Sequence, residues 1–164
     1  AGDFRGLFAA NAADSRDYET GLTVDLGPGP TGALDQLNVE GRGFGGAVDL
    51  LNSKQQFGQL HVFEIAVDAE AGEVRLLLDG RAEGTRSYRP GTLVLDELTL
   101  GARFYTNGPG AQQVRGSLAG DIAEVLLYDR VLSATELLAV RGWLQSRHAK
   151  LAAALPATVP QPLT

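Results

Sequence analysis

The stretch GDIAEVLLYDRVLSATE, residues 120–136, sets the architecture of this chain. Residues 122–128 are apolar, with β-branched and aromatic members, and Glu124 alone interrupts them. Such a run predicts a strand buried on both faces. Asp129 and Arg130 stop it. Ser133 then stands where a helix N-cap belongs. Glu136, three residues on, completes a capping box, in which each side chain satisfies an amide the helix leaves unpaired. Leu137, Val140, Leu144 and Leu151 recur at helical spacing. They predict a helix over about 134–154 with a buried stripe, and Trp143 packs at the stripe's border. Pro156 closes the helix. Residues 155–164, LPATVPQPLT, read as a Pro-rich tail or linker. A strand feeding one capped helix needs a sheet to pack on, and the residues before it must supply that sheet.

Toward the N-terminus, short patterned segments alternate with turn signals. Residues 4–10, 22–26, 34–39, 47–51, 60–67, 74–78, 84–89 and 93–100 carry the alternation or apolar density of strands. GPGPTG at 27–32 and the step from Asp68 to Gly72 are turns, and Asp79-Gly80 is a strong hairpin signal. Residues 101–115 read as one long loop carrying Arg103, Phe104, Tyr105, Asn107 and a Gly-Pro-Gly turn. Loops of that length in compact domains are commonly functional. Roughly nine or ten short strands with frequent turns predict an all-β fold. We expect a two-sheet antiparallel β-sandwich or jelly roll with one C-terminal α-helix, forming a single domain over residues 1–154.

Composition narrows the function classes. The chain has 164 residues, 44% hydrophobic and 21% charged, enough for one domain with a real core. Its net charge of -6 argues against nucleic acid as a partner. No apolar run is long enough to span a membrane, and none reads as a signal peptide. With no cysteine there are no disulfides, Cys-zinc sites or thiol chemistry, which leaves the compartment open. With no methionine there is no initiator, and we expect a processed or excised piece of a longer protein.

An ordered set of short motifs resembles a known family. Asp68-x-x-x-Gly72-x-Val74 is followed by Leu78-Asp79-Gly80, then by Leu100-Gly101-Ala102-Arg103. Gly120-Asp121-Ile122-Ala123-Glu124-Val125 and Tyr128-Asp129-Arg130-x-Leu132-Ser133-x-x-Glu136 come last. Over roughly residues 20–150 this order resembles the LamG-like jelly roll of the concanavalin A-like lectin/glucanase superfamily. The type is the one found in large exported proteins of planctomycete-type bacteria. The resemblance implies two antiparallel sheets face to face, export as part of a larger protein, and a module that binds carbohydrate or an extracellular partner. Domains of this type usually carry further strands ahead of Phe4. Their absence would leave an open sheet edge, with self-association or completion by another chain as the consequence.

Candidate site residues follow from chemistry. The superfamily's glucanases place carboxylates at alternate positions of one strand, and glycoside hydrolysis needs two carboxyls roughly 5–9.5 Å apart. No such pattern occurs: Asp96 and Glu97 are adjacent, and Asp121 and Glu124 face opposite ways on a strand. His61 reads as a hydrogen-bonded core histidine, and His148 as a solvated residue near the helix end. No Ser-His-Asp grouping is in view. Glu124 reads as paired with an arginine or with backbone amides, or else as a ligand contact. We therefore expect no enzyme. The leading expectation is a carbohydrate-binding module for a poly- or oligosaccharide, with Arg103, Tyr105 and Asn107 as ligand contacts and Arg86 and Tyr88 as a second patch. The alternative is a docking module for a neighbouring domain or chain. The two differ in what they leave exposed. A sugar module needs an open aromatic-floored groove, whereas a docking module shows a broad apolar patch or an unpaired edge. Asn11, Asp14 and Asp17 are the best local oxygen set for a structural calcium, the only cofactor the resemblance suggests.

Overall fold

Two antiparallel sheets face each other across one apolar core. The computed structural model describes residues 4–28, 34–52 and 59–154. In chain order the elements are β1 (Arg5–Asn11), α1 (Asp17–Thr20), β2 (Leu22–Pro28), β3 (Leu34–Gly41), β4 (Phe63–Asp68), β5 (Glu73–Leu78), β6 (Arg81–Ser87), β7 (Glu97–Leu100), β8 (Arg103–Tyr105), β9 (Gln113–Arg115), α2 (Ala134–Arg147) and α3 (Ala149–Ala154). The larger sheet runs β3-β2-β1-β7, the smaller β4-β5-β6, and β8 pairs with β9. The chain is thus mostly β and antiparallel, as its patterning predicts.

Register puts the apolar residues on facing surfaces. In the larger sheet Val24 pairs with Val39, Leu26 with Leu37 and Phe8 with Val24, so these residues share one face. They meet Val74, Leu76 and Tyr88 from the smaller sheet's side in a single cluster, with Phe44 and Leu50 filling between. The smaller sheet is folded by its turns. Asp79 (φ 51°) and Gly80 (φ 81°) both take left-handed backbone, the two-residue turn that matches strand twist. Asp79 also accepts from the Val62 amide and contacts His61 Nδ1, both at 2.8 Å, which gives the histidine its polar partner.

Several expectations change. Residues 101–115 are no simple loop: β8 and β9 form a short hairpin laid on the larger sheet at Gly6. A Cβ at Gly6 would stand 2.1 Å from the Ala102 carbonyl carbon, so only glycine lets the backbones approach this closely. Residues 47–51 contribute an isolated bridge, Asn38 to Asp49, in place of a strand. The C-terminal helix carries the full Ser133–Glu136 capping box but breaks at His148. Leu137, Val140 and Leu144 are only half-buried, and Leu151 is exposed. Trp143 is 45% exposed under Arg147, whose Cζ lies 5.1 Å from the ring, so it does not pack in the core.

The largest change concerns residues 122–128. They run extended but join no strand ladder, and Val125, Leu126, Leu127 and Tyr128 are exposed. Apolar density reports a preference for burial and does not supply a partner strand. Among the described residues none pairs with this segment. The tail at 155–164 and most of the 27–32 turn lie outside the described residues.

Leu76 is 1% exposed, at the heart of the core. Leu76→Ala is expected to cost about 2–5 kcal/mol of unfolding free energy. Trp143→Ala should cost less than about 1 kcal/mol. Urea denaturation of both variants checks this; equal losses would mean that the helix is part of the main core.

Candidate functional site

Alternation along β2 and β3 gives the larger sheet a second, polar face, and this face is buried too. Thr23, Asp25, Asn38 and Glu40 point away from the apolar core, yet all are buried. They are covered by α1 and by the β8–β9 hairpin, which crosses here because Gly6 admits it. Arg103 reaches down from β8 into the centre. Its Nε donates to Asp17 Oδ2 at 3.1 Å and its Nη2 to Asp17 Oδ1 at 2.9 Å, a two-pronged grip. Nη1 donates to Asp25 Oδ2 at 2.7 Å, and Nη2 lies 2.9 Å from Glu40 Oε1. The Phe104 amide donates to Asp17, and Asn38 Nδ2 to Asp25 Oδ1. Tyr105 roofs the guanidinium at 4.8 Å, with Tyr18 and Phe4 each at 5.8 Å.

The electrostatics follow from three carboxylates meeting one guanidinium out of water. Burial pushes the Asp25 carboxyl up to about 6. Arg103 and the Asn38 amide oppose that rise, and the neighbouring Glu40 and Asp17 add to it. Burial also works against the Arg103 charge, but Asp17, Asp25 and Glu40 outweigh it and raise the guanidinium above its ordinary value.

These positions correct the expected ligand contacts. Arg103 is 3% exposed and directs its donors inward, so it cannot meet a sugar. Arg86 is likewise turned inward: it donates to the carbonyls of Val39, Gly45 and Gly46 and lies 5.6 Å over Phe44. Tyr88 is buried, edge-on to Phe44, and its hydroxyl exchanges hydrogen bonds with Gly91. Tyr105 is half-buried, its ring already met by Arg103, Arg115 and Tyr18. Asn107 is exposed. The two expected patches therefore sit on separate elements, one against the turn at 42–46 and the other against α1. Asn11, Asp14 and Asp17 do not fit a calcium site either, because both Asp17 oxygens are committed to Arg103 and to the Phe104 amide. Asn11 is buried with Nδ2 on Glu97 and Ala12, and Asp14 is exposed. No group of three or more His, Cys, Asp or Glu side chains able to hold a metal occurs among the described residues.

Asp25 and Glu40 were invisible as a pair because they lie on different strands. The one signal in the sequence was a charged residue inside each of two strands flanked by apolar ones. Glu124 does find an arginine: its carboxylate meets Arg147 Nε at 3.1 Å and His148 Nε2 at 2.9 Å.

The open feature of the molecule lies elsewhere. A cavity of about 1830 Å³ separates the inner faces of the two sheets from residues 118–132 and α2. Leu22, Val24 and Phe8 line it from one side, Phe63, Ile65 and Val67 from another, and Leu126 and Val140 from a third. At the β7 edge, Leu98 and Leu100 share the face of Ala10 and Phe8 but are 53% and 49% exposed. Among the described residues, neither β4 nor β7 has a strand on its outer side. Compared with protein-family models, curated proteins and solved structures, the chain finds no match.

Two outcomes test the buried cluster. Folded Asp25 keeps its proton to about pH 6, while the unfolded chain releases it near the ordinary carboxylate value. Its contribution to stability is therefore fully present at low pH and is lost as pH rises from about 4 through 6, by up to about 3 kcal/mol. Asp25→Asn should flatten that part of a urea-midpoint profile against pH; an unchanged slope would remove Asp25 as its source. Arg103→Met should destabilise by about 3–5 kcal/mol near neutral pH, since it leaves buried carboxylates without their cation.

Proposed function

We propose that this chain is a non-catalytic docking module that binds a polypeptide through the open apolar cavity between its sheets. The observation that carries this reading is the cavity itself. Small-molecule sites run roughly 300–1,000 Å³ with a few convergent polar groups. This one is about 1830 Å³, opens onto an unpaired extended segment, and is bordered by exposed leucines. Exposed apolar surface of this kind marks interaction sites. The carboxylates gathered on the other face are buried around Arg103 and offer a glycoside no access, which supports a binding role over a catalytic one. The LamG-like resemblance supports the same role, as a module within a larger exported protein.

Carbohydrate binding is the second reading, favoured by exposed Asn107 beside half-buried Tyr105 on the β8–β9 hairpin. One pair of measurements separates the two. Docking predicts that a hydrophobic fluorophore brightens on the folded domain and that Leu126→Asp with Leu127→Asp abolishes the signal. It also predicts no saturable binding in a polysaccharide screen, with or without calcium. Saturable polysaccharide binding lost in Tyr105→Ala or Asn107→Ala would overturn docking in favour of the sugar.

A further inference from the structure

The cavity's wall has a directional chemistry that a merely greasy surface would lack. Residues 120–132 make no backbone hydrogen bond to any other described residue, although they line the cavity across from the two sheets. An extended segment with unpaired amides and carbonyls is a template for another strand, which would satisfy those groups in a ladder. The charges along it are also arranged. Glu124, in the middle, is paired with Arg147 and in contact with His148. Asp121 and Asp129, which bracket the apolar run, are exposed and make no salt bridge or side-chain hydrogen bond among the described residues. A third acidic group lines the same cavity: Asp35 Oδ1 is buried with no hydrogen-bond partner among the described residues. A buried carboxylate oxygen left in that state is costly until a donor meets it.

Resting on the docking reading, we infer that the occupant is an extended strand of another polypeptide, apolar at its centre and basic at both ends, hydrogen-bonded along residues 121–129. A second copy of this chain fits less well. The symmetric antiparallel pairing that matches the two apolar runs in full is centred on Val125, and it sets Asp121 directly opposite the partner's Asp129 twice over. Like charges directly opposite on paired strands are destabilising, and a net charge of -6 on each copy adds repulsion. A strand with lysine or arginine at its ends reverses both terms.

The test is amide hydrogen exchange of the whole chain. The probe is a synthetic peptide of alternating valine and threonine with a lysine at each end, long enough to pair with residues 121–129. Alone, the protein should exchange the amides of 122–128 far faster than those of β2. The peptide should bind saturably and slow these amides by about tenfold or more. A proline at the peptide's centre should abolish binding, and glutamates in place of the lysines should weaken it by about tenfold. Asp121→Lys with Asp129→Lys should reverse the lysine-glutamate preference. Val125→Pro, which removes an amide no described residue uses, should leave the fold intact and abolish binding. Protection of 122–128 in the protein alone overturns the inference, and protection that grows with protein concentration overturns it in favour of a second copy. Peptide binding that leaves 122–128 unprotected overturns strand pairing while leaving docking in place. Loss of the fluorophore signal with saturable sugar binding overturns the docking reading itself.

Discussion

Arg103 ties α1 and the β8–β9 hairpin to the polar face of the larger sheet. α1 is one turn long, and β8 and β9 have three residues each, too short to be stable by local interactions. Besides backbone bonds to the sheet, one guanidinium joins them to it, gripping Asp17 from α1, Asp25 from β2 and Glu40 from β3 under a lid of three aromatic rings. A buried ion pair is weak evidence for stability, since desolvation opposes attraction. Its value here is geometric. A planar fork with donors in fixed directions accepts only one placement of three carboxylates, so it sets how the hairpin lies on the sheet.

The larger sheet therefore has two cores of opposite character. Its inner face is apolar and packs by shape; its outer face is polar and packs by hydrogen-bond direction. Strict alternation along β2, with Leu22, Val24 and Leu26 against Thr23 and Asp25, produces both. The polar core requires close backbone approach at Gly6, and the apolar one requires the smaller sheet. Only the apolar core is incomplete: it is closed where Val74, Leu76 and Tyr88 meet it and open toward β7.

Much of this was legible in the sequence, for reasons that are local. Period-two alternation reported strands, Asp79-Gly80 reported the tight turn, and Ser133 with Glu136 reported the helix start, because each signal is written within a few consecutive residues. The site was less legible because its parts are distant in sequence. Arg103 lies far from Asp17 and Asp25, and an arginine beside a tyrosine in a glycine-rich stretch looks the same whether it faces water or carboxylates. Nothing in the neighbourhood of Thr23 and Asp25 announces that a hairpin will cover them. For residues 122–128 the pattern reported the chemistry of the segment correctly, but pairing depends on a second segment that local reading cannot provide.

The attachment of the C-terminal helix has a consequence of its own. No residue of α2 is fully buried. It is fastened to the rest by Arg141 on Glu64, at 2.8 and 2.9 Å, and by Arg147 and His148 on Glu124. Arg147 is largely exposed, and its pair with Glu124 weakens as dissolved ions screen it, whereas the more enclosed Arg141–Glu64 pair is screened much less. In brine the helix would thus loosen first at its C-terminal end, while the clamp at its middle keeps its grip.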